Sequence, residues 1–384
     1  MLTSGIRLLN FKKKSKSGKI KQHLNSILKN QNEVIKSLTS QYKNSYKIKN
    51  LKKYKNSSNF KVIGMGGSVL GTKTIYDFLG NKIKKNFIFI DNIKNKQRVN
   101  KKKKFVNLIV SKSGNTIETI VNANILISPK DNNIFITENK KNYLRILGEK
   151  LKADIIDHNN YIGGRYSVLS EVGMLPANLM GLNVKKFKQL NSLIKNKTFF
   201  NSLISNVSST LFFIKKKKFN SIIINYDEQS ESLFKWYQQL VAESLGKKSK
   251  GLLPIVSNMP KDNHSVMQLY LDGFQNNFFT FFYCNEAHSK KLKSYKILPD
   301  LKYLRGKNLS QVTYAQKKAT EKVFGKKKIP FRSFEVKKRD EKTLGELFCF
   351  FILETILIGK SLNLNPYDQP AVELIKVETK KILT

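Results

Sequence analysis

A short apolar strand that runs into a glycine turn, Lys61-Val-Ile-Gly-Met-Gly-Gly-Ser68, decides the fold class of this sequence. Residues 61–63 are typical of a buried strand, and a helical stretch follows at about 69–79. Glycines let the backbone approach an anion closely, while helix N–H groups and the hydroxyl of Ser68 supply hydrogen-bond donors. Taken alone, the turn fits an ordinary strand-to-helix connection equally well.

The alternation of strand and helix continues along the chain. Four more apolar strings bounded by turn residues lie at 87–90, 105–110, 134–137 and 154–157, with helical stretches between them at about 116–127 and 142–150. Such strings indicate a parallel sheet covered on both faces. After a helical bridge near 174–216 the pattern repeats, with strands at 221–225, 252–257, 277–284 and 331–336 and helices at about 229–246, 311–323, 343–361 and 370–383. We therefore expect an α/β protein with two αβα sandwich subdomains of similar design.

The expected division of the chain follows this element order. Residues 1–58 are polar and lysine-rich, and apolar residues recur at the spacing of an amphipathic helix, at Leu24, Ile27, Leu28, Val34, Ile35 and Leu38. This predicts an N-terminal helical segment. We expect the first subdomain at 59–185, the second at 186–340, and C-terminal helices that complete the site at 341–384.

The composition is strongly basic, with 71 Lys and Arg against 27 Asp and Glu and a formal charge of +44. A hydrophobic content of 40% excludes a disordered basic tail, which lacks the apolar surface to offset chain entropy. Only seven of the 71 cations are arginine, whereas nucleic-acid readers rely on arginine for bidentate contacts. The lysines are interpreted mainly as solvated surface. Charge alone would motivate a nucleic-acid-binding protein, but the absence of interleaved arginine and aromatic motifs argues against it, and we expect neither a nucleic-acid nor a membrane partner.

The two cysteines and the apolar runs of the sequence indicate in which cellular compartment the protein is expected. Cys284 and Cys349 lie in apolar strings, are too isolated for a zinc site, and are predicted to be buried free thiols in a reducing compartment. The run Leu347–Leu353 is too short for a membrane span, and no secretory signal is visible at the N-terminus. These features predict a soluble, cytoplasmic protein without a bound metal.

A second loop, Ser111-Lys-Ser-Gly-Asn-Thr-Ile-Glu-Thr119, again lies between a strand and a helix. Three hydroxyls, one ammonium group and a helix N-terminus converge there, which is how a phosphomonoester is held without a metal. The alternative is an ordinary Ser/Thr cap with Glu118 supporting the first helical turn. Two such loops in one sheet favour phosphate binding. Neither loop has the spacing of a P-loop, which disfavours nucleotide hydrolysis.

Several charged residues outside these loops are candidates for chemistry. Arg165, in Gly-Gly-Arg-Tyr-Ser, is a planar and permanently charged fork in a chain that mostly uses Lys, although a structural ion pair is an equal alternative. Glu243 lies in an apolar helical turn as a candidate general base. His264 is in a polar turn, Gln369 precedes a proline-started helix, and Lys376 follows Glu373 at the spacing of a surface ion pair.

Six blocks in one order connect these candidates: Gly-Met-Gly-Gly-Ser, Ser-Lys-Ser-Gly-Asn-Thr-x-Glu-Thr, Gly-Gly-Arg-Tyr-Ser, Gln-x-x-Ala-Glu-Ser-x-Gly-Lys, Asn-His-Ser and Tyr-Asp-Gln-x-Ala-Val-Glu-x-x-Lys. Together they resemble the glucose-6-phosphate isomerase (phosphoglucose isomerase) family between residues 60 and 380. The resemblance implies two sandwiches of the sugar-isomerase (SIS) type. It also implies reversible conversion of D-glucose 6-phosphate to D-fructose 6-phosphate through a cis-enediol(ate), in glycolysis and gluconeogenesis, with no cofactor.

The resemblance also assigns roles. Glu243 matches the base that moves a proton between C2 and C1, and Arg165 the group that stabilises the enediol(ate). His264 and Lys376 match residues of ring opening, and Gln369 lines the sugar. The substrate phosphate is expected to bind at Gly67, Ser68, Ser111, Lys112, Ser113 and Thr116.

In this family the histidine comes from the neighbouring subunit, so the resemblance implies a homodimer in which His264 crosses over. Glu118 matches an acidic residue beside that imidazole. Two alternatives of function stay open at this point: a dual phosphoglucose/phosphomannose isomerase, and a non-catalytic regulator that binds sugar phosphates. The second would be expected to lose the base or the lysine, and this sequence keeps both.

Overall fold

The computed structural model describes residues 1–13, 16–94, 104–286 and 289–384, and their strands form two five-stranded sheets. The strands are β1 (Ile6–Leu9), β2 (Asn59–Gly64), β3 (Asn86–Ile90), β4 (Val106–Val110), β5 (Asn132–Glu138), β6 (Asp154–His158), β7 (Asn220–Asn225), β8 (Leu253–Asn258), β9 (Asn277–Cys284) and β10 (Phe331–Val336). The helices are α1 (Gly18–Lys29), α2 (Glu33–Ser37), α3 (Gly67–Phe78), α4 (Ile117–Leu126), α5 (Tyr143–Lys150), α6 (Glu171–Leu179), α7 (Leu190–Leu193), α8 (Lys197–Lys215), α9 (Glu231–Leu245), α10 (Met267–Asp272), α11 (Leu309–Lys326), α12 (Glu341–Ser361) and α13 (Val372–Leu383).

The first sheet has the order β3-β2-β4-β5-β6 and is parallel throughout. All five residues of β4 are buried, as expected for a central strand with helices on both faces. From β2 the chain moves to β3 on one side and then to β4 on the other. The topological switch point therefore lies between β2 and β4, where a crevice opens at the carboxyl ends of the strands.

The second sheet has the order β1-β10-β9-β7-β8 and is parallel except for β1. The sequence pattern predicted only helices in residues 1–58, so β1 is a difference. It has four residues and pairs antiparallel with β10 at the edge of the sheet, with Ile6 opposite Val336. A strand this short carries almost no periodic signal, and its partner lies more than 300 residues away, which explains why it was missed.

The helix α12 forms the centre of the molecule. Eighteen of its 21 residues are buried, and it packs against α8 and α9. A helix that is apolar on all sides belongs in a core, and the longest apolar run of the sequence lies inside it. The two-sandwich α/β prediction is confirmed. The proposed boundaries at residues 58, 185 and 340 stay predictions.

Two further expectations concern the cysteines and the membrane. Cys284 and Cys349 are both free and buried, as predicted. Burial raises the pKa of both thiols, and that of Cys349 reaches about 12, so both are unreactive near neutral pH. Across the described residues, no helix is long and apolar enough to cross a membrane. The same residues contain no group of three or more His, Cys, Asp or Glu side chains arranged to hold a metal ion.

A buried histidine makes the fold sensitive to acid. His158 ends β6, is 2% exposed, and donates from Nδ1 to the carbonyl oxygen of Asn159 at 2.9 Å. Burial, the largest cause, lowers the pKa of His158 to about 4. In the unfolded chain the imidazole takes up its proton near pH 6.5, so the unfolded state binds protons first as the pH falls.

We therefore expect His158 alone to lower the free energy of unfolding by about 3 kcal/mol as the pH falls from 7 to 4. Urea denaturation of the wild type and of His158→Gln at both pH values measures this, and the variant should lack that part of the loss. The Glu171 carboxyl, whose pKa burial raises, acts in the opposite direction, and its Oε1 lies 3.8 Å from His158 Nδ1, so the comparison is repeated in a Glu171→Gln background. The control is His23→Gln on α1. An equal pH dependence in the wild type and His158→Gln would contradict the prediction.

Candidate functional site

Two loops meet at the switch point of the first sheet. Gly64 at the end of β2 pairs with Val110 at the end of β4, so the loops that follow these strands begin side by side. One connection runs through Gly66 into the first turn of α3, which contains Gly67 and Ser68, and the other runs through Ser111–Thr116 into α4. Each loop thus presents a helix N-terminus at the same crevice. This arrangement suits an anionic group.

The first loop is built by backbone geometry. Gly66 has φ +51 and ψ −124, a conformation that side chains with a Cβ rarely adopt. Gly66 precedes the first residue of α3, and no side chain caps this helix. The N–H groups of Ser68 and Val69 donate to the carbonyl oxygens of Met65 and Gly66 at 3.1 and 3.0 Å, so among the described residues only the N–H of Gly67 in this turn is left for a ligand. The hydroxyl of Ser68, in the first turn, is half-buried beside it.

The second loop is held by hydroxyls and by a glycine. Ser111 Oγ lies 2.9 Å from Thr116 Oγ1, and Ser111 is 2% exposed. Gly114 has φ +65 and packs so closely on Asn142 that a Cβ would meet the side-chain oxygen at 1.8 Å. The alternative of an ordinary cap is not what the structure contains, because the Thr116 side chain makes no capping hydrogen bond to α4.

The remaining residues of this loop lie nearer the surface. Lys112 Nζ is 3.3 Å from Glu138 Oε1, so its ammonium group is paired. Ser113 is exposed and its Oγ accepts from the N–H of Asn115 at 3.3 Å. Glu118 is half-buried in the first turn of α4.

A contact between two glycines connects the first loop to the Gly-Gly-Arg-Tyr-Ser block. A Cβ on Gly67 would lie 2.1 Å from the carbonyl carbon of Gly164 and 2.5 Å from the backbone N of Arg165. Only glycine at 67 permits this approach of backbone to backbone. The contact places Arg165 directly behind the crevice.

The guanidinium of Arg165 is buried and fully hydrogen-bonded. Its side chain is 0% exposed. Nη1 donates to Glu243 Oε2 at 3.1 Å and to Gln369 Oε1. Nε donates to Ser244 Oγ at 2.8 Å, and Nη2 donates to the carbonyl oxygens of residues 366 and 368 at 2.8 and 2.9 Å. All five N–H groups thus have partners, and Nη1 is the nitrogen next to the carboxylate of Glu243.

Both carboxylate oxygens of Glu243 are held, and its side chain stays 26% exposed. Oε2 accepts from Arg165, and Oε1 accepts from Gln239 Nε2 at 2.8 Å. Glu243, Gln239 and Gly66 line a cavity of about 1030 Å³ between α3 and α9. A carboxylate held in place beside a fixed cation and open to a cavity can move a proton and have the resulting negative charge stabilised.

Gln239 is a site residue to which the sequence pattern assigned no role. It lies one helical turn before Glu243, and its side chain covers Gly66 at a distance where a Cβ would meet Nε2 at 2.7 Å. Its Oε1 is buried and has no hydrogen-bond partner in the part of the chain that the structure describes. The available signal was the i, i+4 spacing to the candidate base.

The structure brings together some of the sequence candidates and leaves two apart. Arg165 contacts both Glu243 and Gln369. His264 is exposed in a short 3-10 helix after β8, and Lys376 is exposed on α13. Lys376 Nζ pairs with Glu373 Oε2 at 2.9 Å, the surface ion pair named above as its alternative. Within the described ranges, no hydrogen bond or ion pair joins either residue to Arg165 or Glu243.

Comparisons with known proteins agree on one family. A family model described as "Phosphoglucose isomerase" matches residues 20–384. The chain is 32% identical over 353 residues to a protein of Methanocaldococcus jannaschii named glucose-6-phosphate isomerase, covering 87% of this chain and 86% of that protein. It is 33% identical over 350 residues to one of the same name from Mycoplasmopsis pulmonis, covering 84% and 82%.

Solved structures support the fold. A hypothetical protein from Thermus thermophilus superposes with a TM-score of 0.83 at 22% identity, covering 95% of this chain and 94% of that one. A glucose-6-phosphate isomerase from Chlamydia trachomatis superposes with a TM-score of 0.69 at 18% identity, covering 87% and 71%.

Proposed function

Because the chain belongs to the phosphoglucose isomerase family, it is an isomerase of glucose 6-phosphate and fructose 6-phosphate, and we propose that Glu243 and Arg165 carry the chemistry. The single observation that carries this assignment is the pair itself. Glu243 Oε2 accepts from Arg165 Nη1 at 3.1 Å at the edge of a cavity, next to the anion crevice of the first sheet.

The proposed reaction follows from these positions. The phosphate lies at the N-termini of α3 and α4, held by the hydroxyls of Ser68, Ser111, Ser113 and Thr116, with backbone donors from Gly67 and Lys112. Glu243 takes the proton from C2 of the open-chain aldose, and the electron pair of that bond forms the C1–C2 double bond of the enediol(ate). The same carboxyl returns the proton to C1, while the hydroxyl proton of O2 passes to O1 and the C2 carbonyl forms. Arg165 stabilises the negative charge in between.

A coupled assay tests the activity. Purified, folded protein is expected to convert fructose 6-phosphate into glucose 6-phosphate, followed by NADPH formation with glucose-6-phosphate dehydrogenase, in buffer that contains a metal chelator. Mannose 6-phosphate is assayed on the same preparation as the competing substrate. A folded preparation that interconverts neither glucose 6-phosphate nor fructose 6-phosphate would overturn the proposed function.

The second part of the proposal is a cytoplasmic homodimer in which His264 enters the site of the neighbouring subunit. Within the described residues, His264 is exposed and forms no hydrogen bond or ion pair with Glu243 or Arg165 of its own chain. Both features are required of a side chain that enters the site of the neighbouring subunit. Glu118, half-buried at the start of α4, would face that imidazole. Lys376 would reach the sugar from α13 beside Gln369. The cytoplasmic assignment is supported by two buried cysteines that remain free.

Complementation between inactive subunits tests the shared site. Glu243→Gln and His264→Asn are each expected to be nearly inactive. After co-expression, about half of the dimers are mixed and one of their two sites is intact, so about a quarter of the wild-type activity should return. If His264 served its own subunit, every site of a mixed dimer would lack one residue. The absence of any gain would therefore contradict the shared site.

A further inference from the structure

Four buried groups, one of which is the Arg165 guanidinium, form a closed ring of hydrogen bonds. Arg165 Nε donates to Ser244 Oγ at 2.8 Å, and Ser244 Oγ lies 2.8 Å from the hydroxyl of Tyr166. That hydroxyl lies 2.9 Å from the carbonyl oxygen of Pro366, which also accepts from Arg165 Nη2 at 2.8 Å. Arg165 is 1% exposed, and Ser244 and Tyr166 are 0% exposed, so water does not compete for these bonds.

The direction of every bond in the ring follows from valence. A guanidinium N–H can only donate and a carbonyl oxygen can only accept. The Tyr166 hydroxyl therefore donates its one O–H to the carbonyl oxygen of Pro366, and it must accept a hydrogen bond from the Ser244 hydroxyl. Ser244 in turn accepts from Arg165 and donates to Tyr166. Reversing the direction of any one bond would leave a neighbouring group without its donor or acceptor. The hydrogen atoms of the ring therefore have a single arrangement.

The ring joins one side of the guanidinium to two distant parts of the chain and to the neighbouring residue Tyr166. Tyr166 follows Arg165 in the 3-10 turn after β6, Ser244 lies near the end of α9, and Pro366 follows α12. The Arg165 guanidinium also stands 5.1 Å from the centre of the Tyr166 ring. The ring uses Nε and one N–H of Nη2, and the other N–H of Nη2 donates to the carbonyl oxygen of Asp368. Nη1 is therefore the nitrogen that faces Glu243 and Gln369.

We propose that Ser244 and Tyr166 are positioning residues, which hold the plane of the Arg165 guanidinium so that Nη1 points at the reacting carbons beside Glu243. The inference rests on the proposed function, since it concerns the same reaction. Neither side chain is placed to touch the substrate, because both are completely buried behind Arg165. Their effect therefore appears in the step where charge develops and much less in substrate binding.

The direct test is Ser244→Ala, which opens the ring at two bonds. A misplacement of about 1 Å in a catalytic group costs up to about 100-fold in rate, so we expect kcat to fall by about 10- to 100-fold while KM stays within about threefold. Tyr166→Phe also removes two bonds of the ring, but neither is made by the guanidinium itself. The aromatic ring stays over Arg165, so the loss of kcat should be smaller than in Ser244→Ala. The matched control is Ser209→Ala on α8, a 0% exposed serine whose hydroxyl donates to the carbonyl of Ser205 in its own helix.

A double-mutant cycle separates positioning from general structural damage. If Ser244 acts through Arg165, then Ser244→Ala should change kcat by less than about threefold in an Arg165→Lys background. Equal losses in both backgrounds would overturn the proposal. So would a loss confined to KM, or a kcat of Ser244→Ala equal to that of the Ser209→Ala control.

Tryptophan emission reports on folding around the ring. Trp236 is the single tryptophan of the sequence, and its Nε1 donates to the carbonyl oxygen of Arg165 at 3.0 Å. An unchanged emission spectrum in Ser244→Ala is expected, because the backbone of Arg165 stays in place. If the spectrum shifts, the comparison is made with Tyr166→Phe, where normal kcat with normal emission would refute the proposal. Failure of the proposed function is recognised separately, as an inactive wild type.

Discussion

Glu243→Gln is expected to lower kcat by about 1000-fold, because the amide cannot take a proton from C2, and general acid–base groups contribute about 10²- to 10⁴-fold. The fold should tolerate the change. The oxygen of the new amide can still accept from Arg165, and its N–H₂ group would face Gln239, whose Oε1 is now unpartnered among the described residues and can accept after an amide flip. Binding of fructose 6-phosphate, measured by calorimetry, should stay within about threefold, because the anion crevice is untouched.

The matched control for this substitution is Glu231→Gln. Glu231 lies on the same helix and lines the same cavity, but it is exposed and about three turns away from the base. Its kcat should match the wild type. Near-normal turnover by Glu243→Gln would refute the assignment of the base, and lost binding together with lost turnover would point to a structural role for the carboxylate instead.

Gly67→Ala is expected to cause the other large effect. The added Cβ would stand 2.1 Å from the carbonyl carbon of Gly164 and 2.3 Å from its oxygen, and both partners are backbone. To relieve this overlap, either the N-terminus of α3 must shift away from the anion crevice, or Arg165 must shift away from Glu243. We expect kcat/KM to fall by at least about 100-fold and stability to fall by about 2–4 kcal/mol.

The control is Gly325→Ala, since a Cβ at this helical glycine of α11 meets nothing within 4 Å. That substitution should leave activity unchanged and raise stability by about 0.5–1 kcal/mol. Steady-state kinetics and thermal unfolding of the two variants provide the comparison. If Gly67→Ala kept wild-type kcat/KM and melting temperature, the close approach of the two motifs would not be essential.

Arginine is rare in this sequence, and three of its arginines occupy buried or nearly buried ion-paired positions, only one of which has a proposed chemical role. The predominance of lysine makes Arg165 a candidate site residue, and Arg165 does contact Glu243, the proposed base. Arg332 is equally rare and 1% exposed, yet it pairs with Glu354 of α12 and donates to Thr280 Oγ1 at 2.9 Å within the second sheet. Arg339 likewise bridges two carboxylates, Asp227 and Glu286. A buried site that needs a planar fork retains arginine whether or not it carries out chemistry.

The strands and helices of the two sheets could be predicted because their signal is local. Each buried strand is a short apolar run bounded by turn residues, and this pattern exists before any tertiary contact forms. The ordered motifs also pointed to the loops at the carboxyl ends of β2 and β4. The strand β1 could not be predicted, because its only reason to form is a partner in β10, at the other end of the chain.

The α/β alternation, the two hydroxyl-rich loops and the family can be inferred from the sequence alone, since these depend on neighbouring residues and on motif order. Three contacts are visible only in the folded chain: Gly67 lies against Gly164, Gln239 and Arg165 hold the two oxygens of Glu243, and Ser244 holds Arg165. These contacts join residues that lie up to 97 positions apart, such as Gly67 and Gly164. Their existence depends on how the sandwiches pack, and packing is a property of distances and buried surfaces that no local pattern contains.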